Sequence, residues 1–130
     1  MFGRLTKGED FLRVREQGKR WRGKWCALNA APAPSVPSNE AQTRIGYIAS
    51  KSLGNAVNRN RARRLMREAA RQLSDTIPNG WDIVLIAQTS MVADKTKRVR
   101  MQHVRDDLLW LLNKANIRKS PLITPPDAPN

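Results

Sequence analysis

The chain has one cysteine and one histidine among its 130 residues. Cys26 alone can close no intrachain disulfide and build no cysteine-rich zinc site, and that usage fits a reduced, cytoplasmic compartment. His103 has no second histidine to work with, so a general acid–base nuclease built on a His pair is excluded. Acids are scarce too, with 11 Asp+Glu. Asp106 and Asp107 are neighbours on a helical stretch and diverge by about 100°. Glu9 and Asp10 fall in the first turn of a helix, where the macrodipole accounts for them. Neither pair converges as a metal nuclease requires. Long apolar runs are missing: the longest are Ile83–Ala87 and Leu108–Leu112, far short of the ~20 residues of a membrane span. With no signal-peptide core near Met1, the expectation is a protein without membrane partners.

What the chain does have is positive charge. It carries 24 Lys+Arg, a formal net charge of +13 and a pI near 11.3. With no catalytic set in view, that balance reads as a nucleic-acid binder. The charge is concentrated in Lys51–Arg71. Plotted as a helix from Arg59, this segment places Arg59, Arg63, Arg67 and Arg71 on one i, i+4 ridge with Arg64 beside it. Ala62, Leu65, Met66, Ala69 and Leu73 fall on the opposite arc. Like charges four apart repel, and Glu68 is the only acid in the segment, so a polyanion is the natural cover. Arginine suits bidentate phosphate contact and base stacking.

The remaining pattern predicts one α+β domain over residues 1–117, ordered α-β-β-α-β-α. Thr6-Lys7-Gly8-Glu9 has capping-box spacing for a first helix ending at Gly18. Residues 20–29 alternate as a strand kinked at Gly23, and Thr43–Ser50 alternates as a second. Residues 30–42, with Pro32, Pro34 and Pro37, predict a loop. Trp81–Gln88, after the turn Pro78-Asn79-Gly80, is a central strand covered on both faces. Asp94 can cap a last helix with Met101, Val104, Leu108 and Leu111 at helical spacing. Residues 118–130 predict a disordered tail. An arginine-rich helix beside sheet aromatics favours RNA or single strands.

The segment Ala49–Ala69 closely resembles the signature of the bacterial ribonuclease P protein subunit, S-K-x-φ-G-x-A-V-x-R-N-R-x-(K/R)-R-x-x-R-E, where φ is apolar. Its centre is Arg59-Asn60-Arg61. Leu5–Phe11 and Asp82–Ala87 fit that family's flanking patterns, so the resemblance covers residues 4 to 115. It implies a two-layer α–β sandwich shared with a ribosomal-protein domain, with a small mixed sheet and a left-handed βαβ crossover, a hand the general rule disfavours. It also implies the function. Such a protein binds a catalytic RNA and the 5′ leader of precursor tRNA, and the RNA, holding Mg2+ with the substrate, removes the leader. The chain itself then supplies no catalytic residue and needs no stable protein partner.

Matched position by position, the resemblance assigns Ser50, Lys51, Gly54, Asn55, Arg59, Asn60, Arg61, Arg63, Arg64 and Arg67 to RNA binding. Phe11 takes the aromatic place of the leader cleft. Two cleft positions depart from the family: Arg15 stands where a second aromatic is frequent and Asn29 where Tyr is frequent. Gln88 stands where Arg often follows the central strand. Trp21 and Trp25 offer substitute stacking or core packing. The alternatives are a structural, ribosomal-type RNA-binding protein and a self-sufficient protein nuclease, and the missing His and carboxylate constellation argues against the latter.

Overall fold

A computed structural model describes residues 2–34, 42–93 and 98–119. Its elements are β1 (Gly3–Arg4), α1 (Gly8–Gln17), β2 (Lys19–Arg22), β3 (Cys26–Pro32), β4 (Arg44–Ile48), a 3-10 turn (Lys51–Leu53), α2 (Ala56–Gln72), β5 (Trp81–Ala87), α3 (Ser90–Ala93) and α4 (Met101–Lys114). The five strands form one mixed sheet in the order β1-β4-β5-β3-β2. β4 runs parallel to both β1 and β5, and β3 runs antiparallel to both β5 and β2. The β-branched and leucine run of β5 takes the central place because both its faces are covered. Ile83 and Leu85 face the large core, which includes Met66 of α2 and Leu108 and Leu111 of α4. Val84 faces the other side, with Val14 and Phe11 of α1. The sheet, α2 and α4 thus make the α–β sandwich, and among the described elements α1 alone lies on the opposite face. β4, α2 and β5 form a parallel βαβ unit on adjacent strands.

Several elements differ from expectation. Residues 20–29 are a hairpin and not one kinked strand: Arg22 pairs with Ala27, and Gly23 N–H donates to the Cys26 carbonyl at 2.8 Å. The reason lies 81 to 83 residues away. The Asp107 carboxylate of α4 accepts from the amides of Lys24 (2.9 Å), Trp25 (2.8 Å) and Cys26 (3.1 Å). Gln88 Nε2 donates to the carbonyls of Gly23 and Cys26 at 2.6 and 3.1 Å. This turn resets the alternation, so Trp21 packs against, and Trp25 lies within, the α2–α4 core.

The strand before the proline-rich loop continues to Pro32, paired with Trp81. Proline is tolerated there because it is the last ladder residue. Of the loop expected at 30–42, residues 35–41 lie outside the described residues. The capping box at Thr6 does not form. Lys7 is the N-cap residue, without a side-chain bond, because Leu5 is already fixed to β4, its N–H donating to the Ile45 carbonyl at 3.2 Å. Gly18 ends α1 in extended backbone, since the chain passes straight into β2. The last helix starts at Met101, after Arg100, and Asp94 lies outside the described residues. Of the tail, Arg118 and Lys119 are hydrogen-bonded to Asn113 and to the Thr76 carbonyl, and residues 120–130 lie outside the described residues.

Candidate nucleic-acid interface

The cationic helix is set up by the short segment before it. Gly54 has φ +107, a conformation that favours glycine, and turns the chain out of the 3-10 turn. Asn55 then caps α2, its side-chain oxygen accepting from Asn58 N–H at 3.0 Å. Asn58 Nδ2 donates to the Leu53 carbonyl at 3.2 Å, closing the turn. These bonds fix the rotation of the helix. Ala62, Met66, Ala69 and Ala70 go into the core, and Arg64, Arg67 and Arg71 stay exposed.

The ridge of Arg59, Arg63, Arg67 and Arg71 faces the β1–β4 edge of the sheet. The Arg67 guanidinium lies 5.8 Å from the centre of the Tyr47 ring, and Arg59 Nε donates to the Ala49 carbonyl at 3.3 Å. Arg63 donates to Asn60 Oδ1 at 2.9 Å. Among the described residues the only acid paired with this ridge is Glu68, at 2.5 Å from Arg71. Lys51 and Ser50 are exposed just before it, with Ser50 Oγ 2.6 Å from Ser52 Oγ. Arg61 points the other way. It donates to the Val99 carbonyl at 2.8 Å, and burial, then Arg98 and Arg64, hold its pKa below the ordinary guanidinium value. The ten residues assigned to RNA therefore divide by position. Ser50, Lys51, Arg59, Asn60, Arg63, Arg64 and Arg67 form one surface. Gly54 and Asn55 shape its start, and Arg61 ties α2 to the segment before α4.

The second candidate surface is the α1 face of the sheet. Phe11 lies against Gly46 so closely that a Cβ there would sit 2.6 Å from its ring. The ring is half-buried, serving both as packing and as a partly open aromatic wall. Arg15 is exposed on α1. Asn29 is buried at 7% exposure, and its Oδ1 has no hydrogen-bond partner among the described residues. By register Arg20 and Arg22 share this face with Asn29 and Ala27. Trp21 and Trp25 face the opposite core and cannot stack on anything in this cleft.

An ion cluster at the cleft's end has no counterpart in the sequence reading. Asp82, fully buried at the start of β5, accepts from Arg44 Nε at 3.0 Å and Nη2 at 2.7 Å, and pairs with Arg13 of α1. Asp10 lies 3.6 Å from both guanidiniums. An acid heading an otherwise apolar central strand is the one local signal that could have marked it, since such a charge needs a partner.

No group of three or more His, Cys, Asp or Glu converges on a possible metal site among the described residues. The Cys26 thiol is pushed up by burial and by Asp107, which leaves it a poor nucleophile. His103 Nδ1 accepts the Arg100 amide at 2.9 Å in the first turn of α4. No described helix is long and apolar enough to cross a membrane.

Residues 2–116 match the family described as Ribonuclease P. The ribonuclease P protein component of Chloroflexus aurantiacus is 36% identical over 118 residues, covering 91% of this chain and 81% of that one. That of Dehalococcoides mccartyi is 38% identical over 120 residues, covering 90% and 92%. Among solved structures, the RNase P protein from Thermotoga maritima superposes with a TM-score of 0.72 at 29% identity over 85% of this chain and 96% of that one. The Staphylococcus aureus RNase P protein gives 0.73 at 24% identity over 90% and 98%, a likeness of fold. The signature on α2, the sandwich around it and these relatives agree: the chain belongs to the ribonuclease P protein family, the protein component of the tRNA-processing enzyme ribonuclease P.

Proposed function

We propose that this chain binds the catalytic RNA of ribonuclease P through the α2 surface and receives the 5′ leader of precursor tRNA between α1 and the sheet. Hydrolysis of the leader phosphodiester then belongs to the RNA. The observation that carries this reading is the ridge of Arg59, Arg63, Arg67 and Arg71, which has one acidic partner among the described residues and repels itself unless a polyanion lies on it. In this reading any magnesium the reaction uses is held by the RNA and substrate. The chain's own work is positioning and charge neutralisation.

In the cleft, Phe11 offers the stacking surface, and Arg15, Arg20 and Arg22 offer charge to phosphates. Asn29, expected to line the cleft, is buried in the sheet and gives the leader no tyrosine-like stacking surface, so leader affinity here rests on charge more than on aromatic contact.

The test is reconstitution with precursor tRNA and magnesium, with and without the ribonuclease P RNA. Cleavage only when both are present is expected. About five phosphate contacts predict a log K against log salt slope of roughly −3.5 to −4.5. Cleavage by the RNA-free protein, or a flat salt dependence, would sink the proposal.

A further inference from the structure

Where the arginine ridge ends, α2 and the β1–β4 edge line a half-open cavity of about 460 Å³. Phe2, Ile45 and Tyr47 give it apolar and aromatic walls, and Arg4, Arg67 and Arg71 stand around it. Ile45 is fully buried, while Phe2 and Tyr47 are half-buried against the core. The Arg67 guanidinium lies over the Tyr47 ring at 5.8 Å. Arg71 pairs with Glu68 on the surface, a contact weak enough to be exchanged for a stronger anion.

These features narrow the ligand. Flat aromatic walls do not recognise a bare phosphate, and three guanidiniums do not suit a purely apolar molecule. The volume falls in the ~300–1,000 Å³ range of small-molecule sites. A planar base joined to a phosphate meets each requirement: the base against an aromatic ring and the phosphate on an arginine fork. Position adds a second argument. Arg67 and Arg71 are the last two members of the ridge, so a strand tracking the ridge by its phosphates arrives at this cavity. We propose that the cavity between α2 and the β1–β4 edge binds one unpaired nucleotide, its base against Tyr47 and Phe2 and its phosphate on Arg4 and Arg71. The Tyr47 hydroxyl, pushed up to about 12 chiefly by burial, stays neutral beside that phosphate.

The nucleotide has two possible sources, a bound RNA or a free mononucleotide, and as a site on the RNA this inference rests on the function proposed above. Two variants of the full chain probe it without removing a cation. Ser74→Trp fills the cavity from its rim, and Tyr47→Leu removes the stacking surface. Binding to the ribonuclease P RNA is measured against salt concentration, with melting curves for each variant.

Each variant should bind about tenfold more weakly, the equivalent of about 1.4 kcal/mol and of one stacking contact. The log K against log salt slope should stay as in the wild type, and Arg4→Ala should make it shallower by about 1. Wild-type affinity in a Ser74→Trp protein of unchanged melting temperature would overturn the inference. Calorimetric titration of the wild-type chain with AMP and with inorganic phosphate separates the sources. AMP binding that Ser74→Trp abolishes assigns the site to free nucleotides as well. No AMP binding, with RNA affinity lost in the variants, assigns it to a nucleotide of the RNA. AMP binding no tighter than phosphate and unaffected by Ser74→Trp overturns base recognition. If the wild-type chain fails to bind the RNA at all, the proposed function falls, and the AMP titration decides the cavity by itself.

Discussion

Replacing Asp82 by alanine should loosen the attachment of α1 to the sheet. Asp82 is fully buried and takes three guanidinium bonds, two from Arg44 and one from Arg13. Removing one partner of a buried ion pair costs about 3–5 kcal/mol when the other charge stays buried. Here the Arg13 and Arg44 side chains retain 18% and 33% of their exposure. Both can turn toward water, and Asp10 remains 3.6 Å from each. The expected loss is therefore discounted to about 2–3 kcal/mol. For a domain of this size that lowers the melting temperature by about 8–12 °C. Thermal melts followed by circular dichroism measure it, and Asp82→Asn should fall between the two because its carbonyl still accepts one bond. A double-mutant cycle with Arg13→Ala should give a coupling of about 1–2 kcal/mol. Because α1 carries Phe11, Asp82→Ala should also reduce the preference for precursor over mature tRNA. A melting temperature within about 2 °C of wild type would refute the reasoning, since it would mean the cluster is already fully solvated.

Three further outcomes are expected. Asn55→Ala removes the α2 cap seen at 3.0 Å and should cost about 1 kcal/mol in urea unfolding with an unchanged m-value. Gly46→Ala places a methyl 2.6 Å from the Phe11 ring; it should destabilise by about 1–3 kcal/mol and weaken leader binding by displacing that ring. Stability should fall at alkaline pH, because burial raises the pKa of both Cys26 and Tyr47 and the folded state then holds each proton more tightly. The contribution of Cys26 is complete below its ordinary 9.0 and is lost as pH rises beyond it. That of Tyr47 is lost between 10.0 and about 12. Melts of Cys26→Ala between pH 8 and 12 should show the decline starting about one unit later than in the wild type, and an identical onset would contradict the assignment.

Local periodicity was enough for α2. Arginines four apart on one arc and Ala62, Met66 and Ala69 on the other dictate which side meets the core, because a 3.6-residue repeat repeats its own geometry at every turn. The central place of β5 follows from its unbroken apolar run in the same way. The function was legible because charge is additive along a chain and because the signature around Arg59-Asn60-Arg61 is contiguous. What the sequence could not disclose depends on residues far apart in the chain. Asp107 makes a hairpin of residues 20–29 by accepting three amides from the turn, and no local pattern records that bond. Asp82 meets Arg13 and Arg44 only once β4 and β5 are in register and α1 has docked, so three unremarkable charges become one buried cluster. Arg61 lies within the arginine motif but rotates toward Val99, because the helix phase set by Asn55 and the core leaves it on the α4 side. Tertiary structure likewise buries Trp21 and Trp25 against α2 and α4, leaving Phe11 as the cleft's aromatic. Sequence by itself determined the binary pattern and the charge, which are sums over neighbours. The fold alone decided which charges pair and which face a ligand, because pairing depends on distance in space and not on separation along the chain.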